Sequence, residues 1–169
     1  MNKLVLYFSF MLLFSPLIVL AQEPEQSSCM LFDSKNGEYD YWETNDPITH
    51  GKTVFDLVLC STEEGKYLPV INLTFKNKDG IEYVDAMVFQ DKYKGIVLGY
   101  RHMIGDEVNS SGTIPANIKF NDKFQIAMNK NEQGLITIIV GDEAQKILTN
   151  ISLMETEIGS SGFKVEVCL

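Results

Sequence analysis

Short β-type runs separated by turn residues set the rhythm of this chain. Residues 53–60 alternate, placing Phe55, Leu57 and Leu59 on one side of a strand. A second run covers 67–75 and a Lys78-Asp79-Gly80 turn leads into a third at 81–89. Residues 95–100 follow the turn at Lys92-Tyr93-Lys94. A stretch rich in Asn, Ser, Gly and Pro then reads as a loop before a strand at 123–128. Glu132-Gln133-Gly134 turns the chain into 135–140, whose Leu-Ile-Thr-Ile-Ile-Val sequence is too β-branched to sit easily in an exposed helix. Gly141-Asp142 turns it again into 144–148, and 163–168 alternates cleanly at the end. Nothing shows the period and caps of a long amphipathic helix, and there is no internal repeat. Many short strands without helices between them imply an all-β sandwich or barrel.

The first residues have a different character. Lys3 precedes an apolar run at 4–20, and Val19-Leu20-Ala21 has the small-residue pattern of a cleavage site, so residues 1–21 read as a signal peptide. Ser9, Ser15 and Pro16 interrupt the run and Gln22-Glu23-Pro24-Glu25-Gln26 follows it, which argues against an uncleaved anchor. No second apolar stretch of that length exists. Cleavage leaves 148 residues. These divide into a leader and first-strand region at 22–45 and one domain at 46–169. The chain carries a net charge of −9, and losing Lys3 takes it to −10. This balance and the lack of any basic cluster disfavour nucleic acid and anionic membrane surfaces as partners. The expected location is extracellular.

Three cysteines remain beyond the cut: Cys29, Cys60 and Cys168. In an oxidising compartment an odd count leaves one thiol over or pairs it between chains. Cys29 and Cys168 lie near the two ends, where a disulfide would staple terminal strands. Cys60 ends an apolar run and reads as a buried free thiol. Without CxxC or His-rich spacing no zinc site is expected, and no cofactor is implied. Three sequons, at Asn72, Asn109 and Asn150, are candidate glycosylation sites, and Asn109 among Ser110, Ser111 and Gly112 reads as the best exposed, in a loop.

Several local patterns together resemble the galectin family. The segment Asp46-Pro47-Ile48-Thr49-His50-Gly51 leads into an early strand, as galectins do. Ile71-Asn72-Leu73 resembles a galectin core strand. Phe120-Asn121-Asp122-Lys123-Phe124, with the strand, turn and return strand from Gln133 to Asp142 and on to Leu148, gives the closest likeness. The resemblance covers roughly 46–167 and implies an antiparallel two-sheet β-sandwich of jelly-roll type with a glycan or glycoprotein ligand.

It does not bring the family's sugar-reading set with it. Where galectins place polar side chains and a stacking tryptophan, this chain has Asp85, Met87, Phe89, Gly99, Ile104 and Asn109, and of the set only Glu107 carries over. The sole tryptophan, Trp42, lies upstream. The resemblance therefore implies a divergent lectin, weak or inactive toward simple β-galactosides. A protein-interaction or structural module without sugar binding is the alternative, since Met87 and Phe89 facing outward would make an apolar patch. The segment 99–103 reads as a loop flanking an edge strand or as a binding rim. Neither His50 nor His102 has a nucleophile motif beside it, and Asp106-Glu107 and Asp142-Glu143 read as solvated turn acids, so no enzyme is expected.

Overall fold

The structure is a computed structural model and describes residues 29–43, 49–63 and 65–169. The expected signal peptide at 1–21 lies outside them. Twelve strands form two antiparallel six-stranded sheets, and no helix occurs among the described residues. The sandwich expected from the strand rhythm and the galectin resemblance is present.

The first sheet runs in the order β1 (Cys29–Asp33), β12 (Phe163–Cys168), β3 (Gly51–Thr62), β8 (Lys123–Lys130), β9 (Leu135–Val140), β10 (Glu143–Leu148). The second runs β2 (Asp40–Glu43), β11 (Met154–Ser161), β4 (Val70–Asn77), β5 (Glu82–Asp91), β6 (Gly95–Ile104), β7 (Glu107–Ile114). The core fills the space between them. Phe55, Leu57 and Leu59 of β3 face Ile71, Leu73 and Phe75 of β4 and Val84, Ala86 and Val88 of β5, all fully buried. Each such large side chain contributes about 1.5–3 kcal/mol by leaving water. Because successive residues of a strand point to opposite faces, this inward set fixes what the alternate residues of β4, β5 and β6 present outside.

The chain ends are built into the sheets. β1 pairs with β12 and β2 with β11, so the region before residue 46 supplies the first strand of each sheet. Trp42 turns inward on β2 opposite Ile158 and packs against the core.

Four local expectations are corrected. The stretch expected as a loop holds β7: an edge strand with one neighbour tolerates Asn, Ser and Gly, which mask the β signal. Asn109 is therefore on an exposed strand, not in a loop. β11 was not foreseen, because two of its inward positions are the hydroxyl residues Thr156 and Ser160, which blur the alternation. Cys60 is only half-buried: the alternation that buries Leu59 turns Cys60 outward beside Val58.

Cys29 and Cys168 face each other across β1 and β12 and form a disulfide, joining residues 139 apart in sequence. In the chain-entropy model a loop that long constrains the unfolded chain by about 4–5 kcal/mol. Cys29→Ser is expected to lower unfolding free energy in urea by up to that amount; a loss below about 1 kcal/mol would show that the terminal strands hold without the link.

Candidate functional site

The outward positions of the second sheet line up in rows, because each residue stands opposite one partner on the next strand. One row crosses all six strands: Glu43, Glu157, Thr74, Asp85, Arg101 and Ser111. At a strand spacing of about 4.8 Å it spans roughly 24 Å. Tyr41, Gly159, Asn72, Met87, Gly99 and Thr113 form the next row.

Asp85 is the centre of the first row. Although it lies on the outward face, it is only 2% exposed. Thr74 Oγ1 donates to its Oδ1 at 2.7 Å, and Arg101 Nε and Nη2 donate to its Oδ2 at 3.0 and 2.5 Å. Arg101 also lies over the Tyr83 ring, 5.6 Å from its centroid. Burial pushes the Asp85 carboxyl above its ordinary range despite the hydrogen bonds from Thr74 and Arg101, and the charge of Glu157 adds to the rise. Burial opposes the charge of Arg101, but its bonds to Asp85 hold the guanidinium still more firmly protonated. The cost of desolvation falls on Asp85 because Arg101 keeps a third of its side chain in water.

The other end of the row is a second charge cluster. Glu43 and Glu157 stand directly opposite each other, a repulsive arrangement. Lys76 Nζ resolves it, reaching Glu157 at 2.7 Å and Glu43 at 3.0 Å. Burial alone would lower Lys76, but these two carboxylates outweigh it and raise the ammonium above its usual value.

Between these clusters the surface forms a cavity of ≈ 340 Å³ lined by Tyr39, Asn72, Thr74, Lys76, Tyr83, Asp85, Arg101 and Glu157, with Gly80 at the β4–β5 turn. That size is at the lower end for small-molecule sites. Two glycines keep the second row low. A Cβ on Gly159 would lie 1.7 Å from Tyr39 Oη, so its absence lets the Tyr39 side chain lie over β11. A Cβ on Gly99 would meet the Phe89 ring at 3.1 Å and Met87 Cε at 3.6 Å. Met87 and Phe89 thus lie against bare backbone and form a half-buried apolar strip beside the polar cavity.

The sequence-derived candidates are scattered. Glu107 opens β7, exposed and opposite Ile104; this register puts it on the His102 side of the sheet, away from Arg101 and the cavity. Asn72 lines the cavity, where its Nδ2 donates to Tyr39 Oη at 3.4 Å. Asn109 Nδ2 donates to Nδ1 of buried His102 at 3.0 Å, while His102 Nε2 donates to Glu82 Oε1 at 2.9 Å. Asn150 is exposed after β10, and its backbone N–H donates to the same Glu82 oxygen at 2.9 Å. Glu166 lies close to Cys29 and Cys168, but their sulfurs are bonded to each other and are not available as thiolate ligands.

Arg101, Tyr39, Thr74, Lys76, Tyr83 and Glu157 were not singled out individually. Arg101 stood within the segment 99–103, which is the second half of β6 and not a loop. The readable signal was a lone charge in an apolar run: Asp85 is the one charged residue of 83–89 and Arg101 that of 95–101.

No protein-family model matches the chain, and no curated protein matches it. Solved structures do. The carbohydrate-binding module CBM66 from Bacillus subtilis is 14% identical with a TM-score of 0.53, over 77% of this chain and 78% of that one. The homodimeric chicken-liver agglutinin CG-16 is 10% identical with a TM-score of 0.54, over 77% of this chain and 98% of that one. A Bacillus licheniformis β-glucanase is 9% identical with a TM-score of 0.50, over 75% of this chain and 66% of that one. At these identities the likeness is one of fold.

The raised Asp85 fixes the sign of a pH effect. The native state takes up this proton at a higher pH than the unfolded chain, so Asp85 contributes stability below the ordinary carboxylate range. That contribution is lost as pH rises through the raised native value. Urea unfolding of wild type and Asp85→Asn across that window is expected to show the variant gaining on wild type as pH rises. The reverse trend would show that Thr74 and Arg101 outweigh burial.

Proposed function

We propose that the chain is an extracellular, non-catalytic carbohydrate-binding protein that holds neutral glycans on the outward face of its second sheet. The observation that carries this reading is the row from Glu43 to Ser111, with its cavity. Hydroxyl-rich ligands need rigid donors and acceptors held in fixed positions. Asp85 fixes the Arg101 guanidinium, Lys76 is held between two acids, and Tyr39 and Tyr83 bring aromatic rings to the same cavity. A sandwich similar in fold to a carbohydrate-binding module and an agglutinin is consistent with it. The disulfide suits an oxidising compartment and supports secretion.

The same contacts favour binding over catalysis. Glycoside hydrolysis needs two carboxyl groups free to pass a proton or attack. Both oxygens of Asp85 are engaged, Glu157 is held by Lys76, and both nitrogens of His102 are occupied. Simple β-galactosides are expected to bind weakly or not at all, because Met87, Phe89 and Gly99 offer no polar side chain where galectins read the sugar. Protein contact is the second reading, supported by the strip of Met87 and Phe89 flanked by Val70 and Val97.

A glycan array followed by calorimetry tests the proposal. Wild type is expected to bind at least one neutral oligosaccharide. Arg101→Lys keeps the charge but loses the fork and is expected to weaken binding about tenfold or more. Glu107→Gln is expected to leave it unchanged. Absence of any glycan ligand, or loss of binding through Glu107 alone, would overturn the reading.

A further inference from the structure

One polar atom of the residues that line the cavity has no hydrogen-bond partner among the described residues. Asn72 Oδ1 is buried and accepts no hydrogen bond from the described residues, while its amide nitrogen donates to Tyr39 Oη at 3.4 Å. A buried acceptor without a donor opposes folding, and such groups persist in proteins where they serve another purpose. Asn72 stands on β4 in the low row between Gly159 and Met87, so its β11 neighbour brings no side chain toward it, and Tyr39 Oη lies beside it instead. It lines the same cavity as Arg101.

We propose that Asn72 is the orienting residue of a subsite for a neutral sugar, its Oδ1 accepting from one ring hydroxyl while Arg101 donates to a neighbouring one. This rests on the outward face being a sugar site. An amide oxygen only accepts, so the ligand must bring a hydrogen to it. A carboxylate or sulfate brings none. Such an anion would also meet Asp85 and Glu157, which already balance Arg101 and Lys76. A hydroxyl pair answers both requirements, since each hydroxyl donates once and accepts as well. Arg101 spends Nε and one N–H of Nη2 on Asp85, leaving its remaining donors for the ligand. Tyr39 Oη, beside Asn72 Nδ2, closes the subsite on the β11 side.

The proposal also bears on the sequon at Asn72. Thr74, its third residue, gives its hydroxyl to Asp85, and Nδ2, the atom that would carry a glycan, faces Tyr39 inside the cavity. Asn72 is thus used as a side chain and not as a glycan anchor.

The probe is the neutral oligosaccharide bound best on the array, together with its sulfated counterpart. Asn72→Ala is expected to weaken the neutral sugar about tenfold while leaving the melting temperature unchanged or raised, because it removes a desolvated acceptor. Tyr39→Phe is expected to weaken it as well, and the sulfated sugar to bind wild type at least tenfold less tightly. A merely structural Asn72 predicts the opposite pair: a lower melting temperature with affinity unchanged. If Arg101→Lys weakens binding and Asn72→Ala does not, the subsite falls and the binding face stands. If wild type binds no sugar, both fall. A glycan found on Asn72 by peptide mass spectrometry of protein from secretory cells also overturns the proposal.

Discussion

Asp85 is a charge that the outward face of a sheet would normally leave in water. Here it is buried, and the surrounding surface is arranged to make that tolerable. Thr74 and Arg101, directly opposite it on the two neighbouring strands, supply three hydrogen bonds. A buried ion pair contributes little net stability against its desolvation cost, but removing one partner leaves the other charge stranded. The pair is therefore better understood as a positioning device: it fixes a guanidinium on a surface where a free arginine would sample many rotamers.

That device depends on the pleat. The inward residues of β4 and β5 are Ile71, Leu73 and Phe75, and Val84, Ala86 and Val88, all packed against Phe55, Leu57 and Leu59 of the opposite sheet. A slip of one residue would turn Asp85 into the core and Val84 or Ala86 into water. Burial of the apolar face thus enforces the register that sets Asp85 against Arg101. The glycines complete the arrangement by omission: Gly159 and Gly99 let side chains from elsewhere lie over the sheet and give the face its relief.

Much of the fold was legible in the chain, and the reasons for the gaps are local. β3, β9 and β12 announced themselves by alternation or β-branching, and the turns at Gly80, Gly134 and Gly141 marked the hairpins, each with a positive φ. β7 and β11 did not, because an edge strand and a strand with buried hydroxyls lack the apolar signature. The site was harder still. Departures from the galectin pattern were visible residue by residue, but the contacts that the substituted residues make were not. Asp85 and Arg101 are 16 residues apart, and Lys76 and Glu157 are 81 apart. Only the strand order β11-β4-β5-β6 brings them together, and no single-chain periodicity specifies that order. Glu107 was legible as a motif residue, yet its register turns it from the cavity.

The proposed seat of the ligand is the row organised by Asp85 and Arg101. Backbone amide chemical shifts, followed while a neutral oligosaccharide is titrated into the folded protein, test it most directly. A ligand on this row perturbs Asn72, Thr74, Asp85 and Arg101 most, with the effect fading toward β7 and absent from the first sheet. Perturbations confined to β8 and β9, or to the hairpin carrying Glu107, would contradict it.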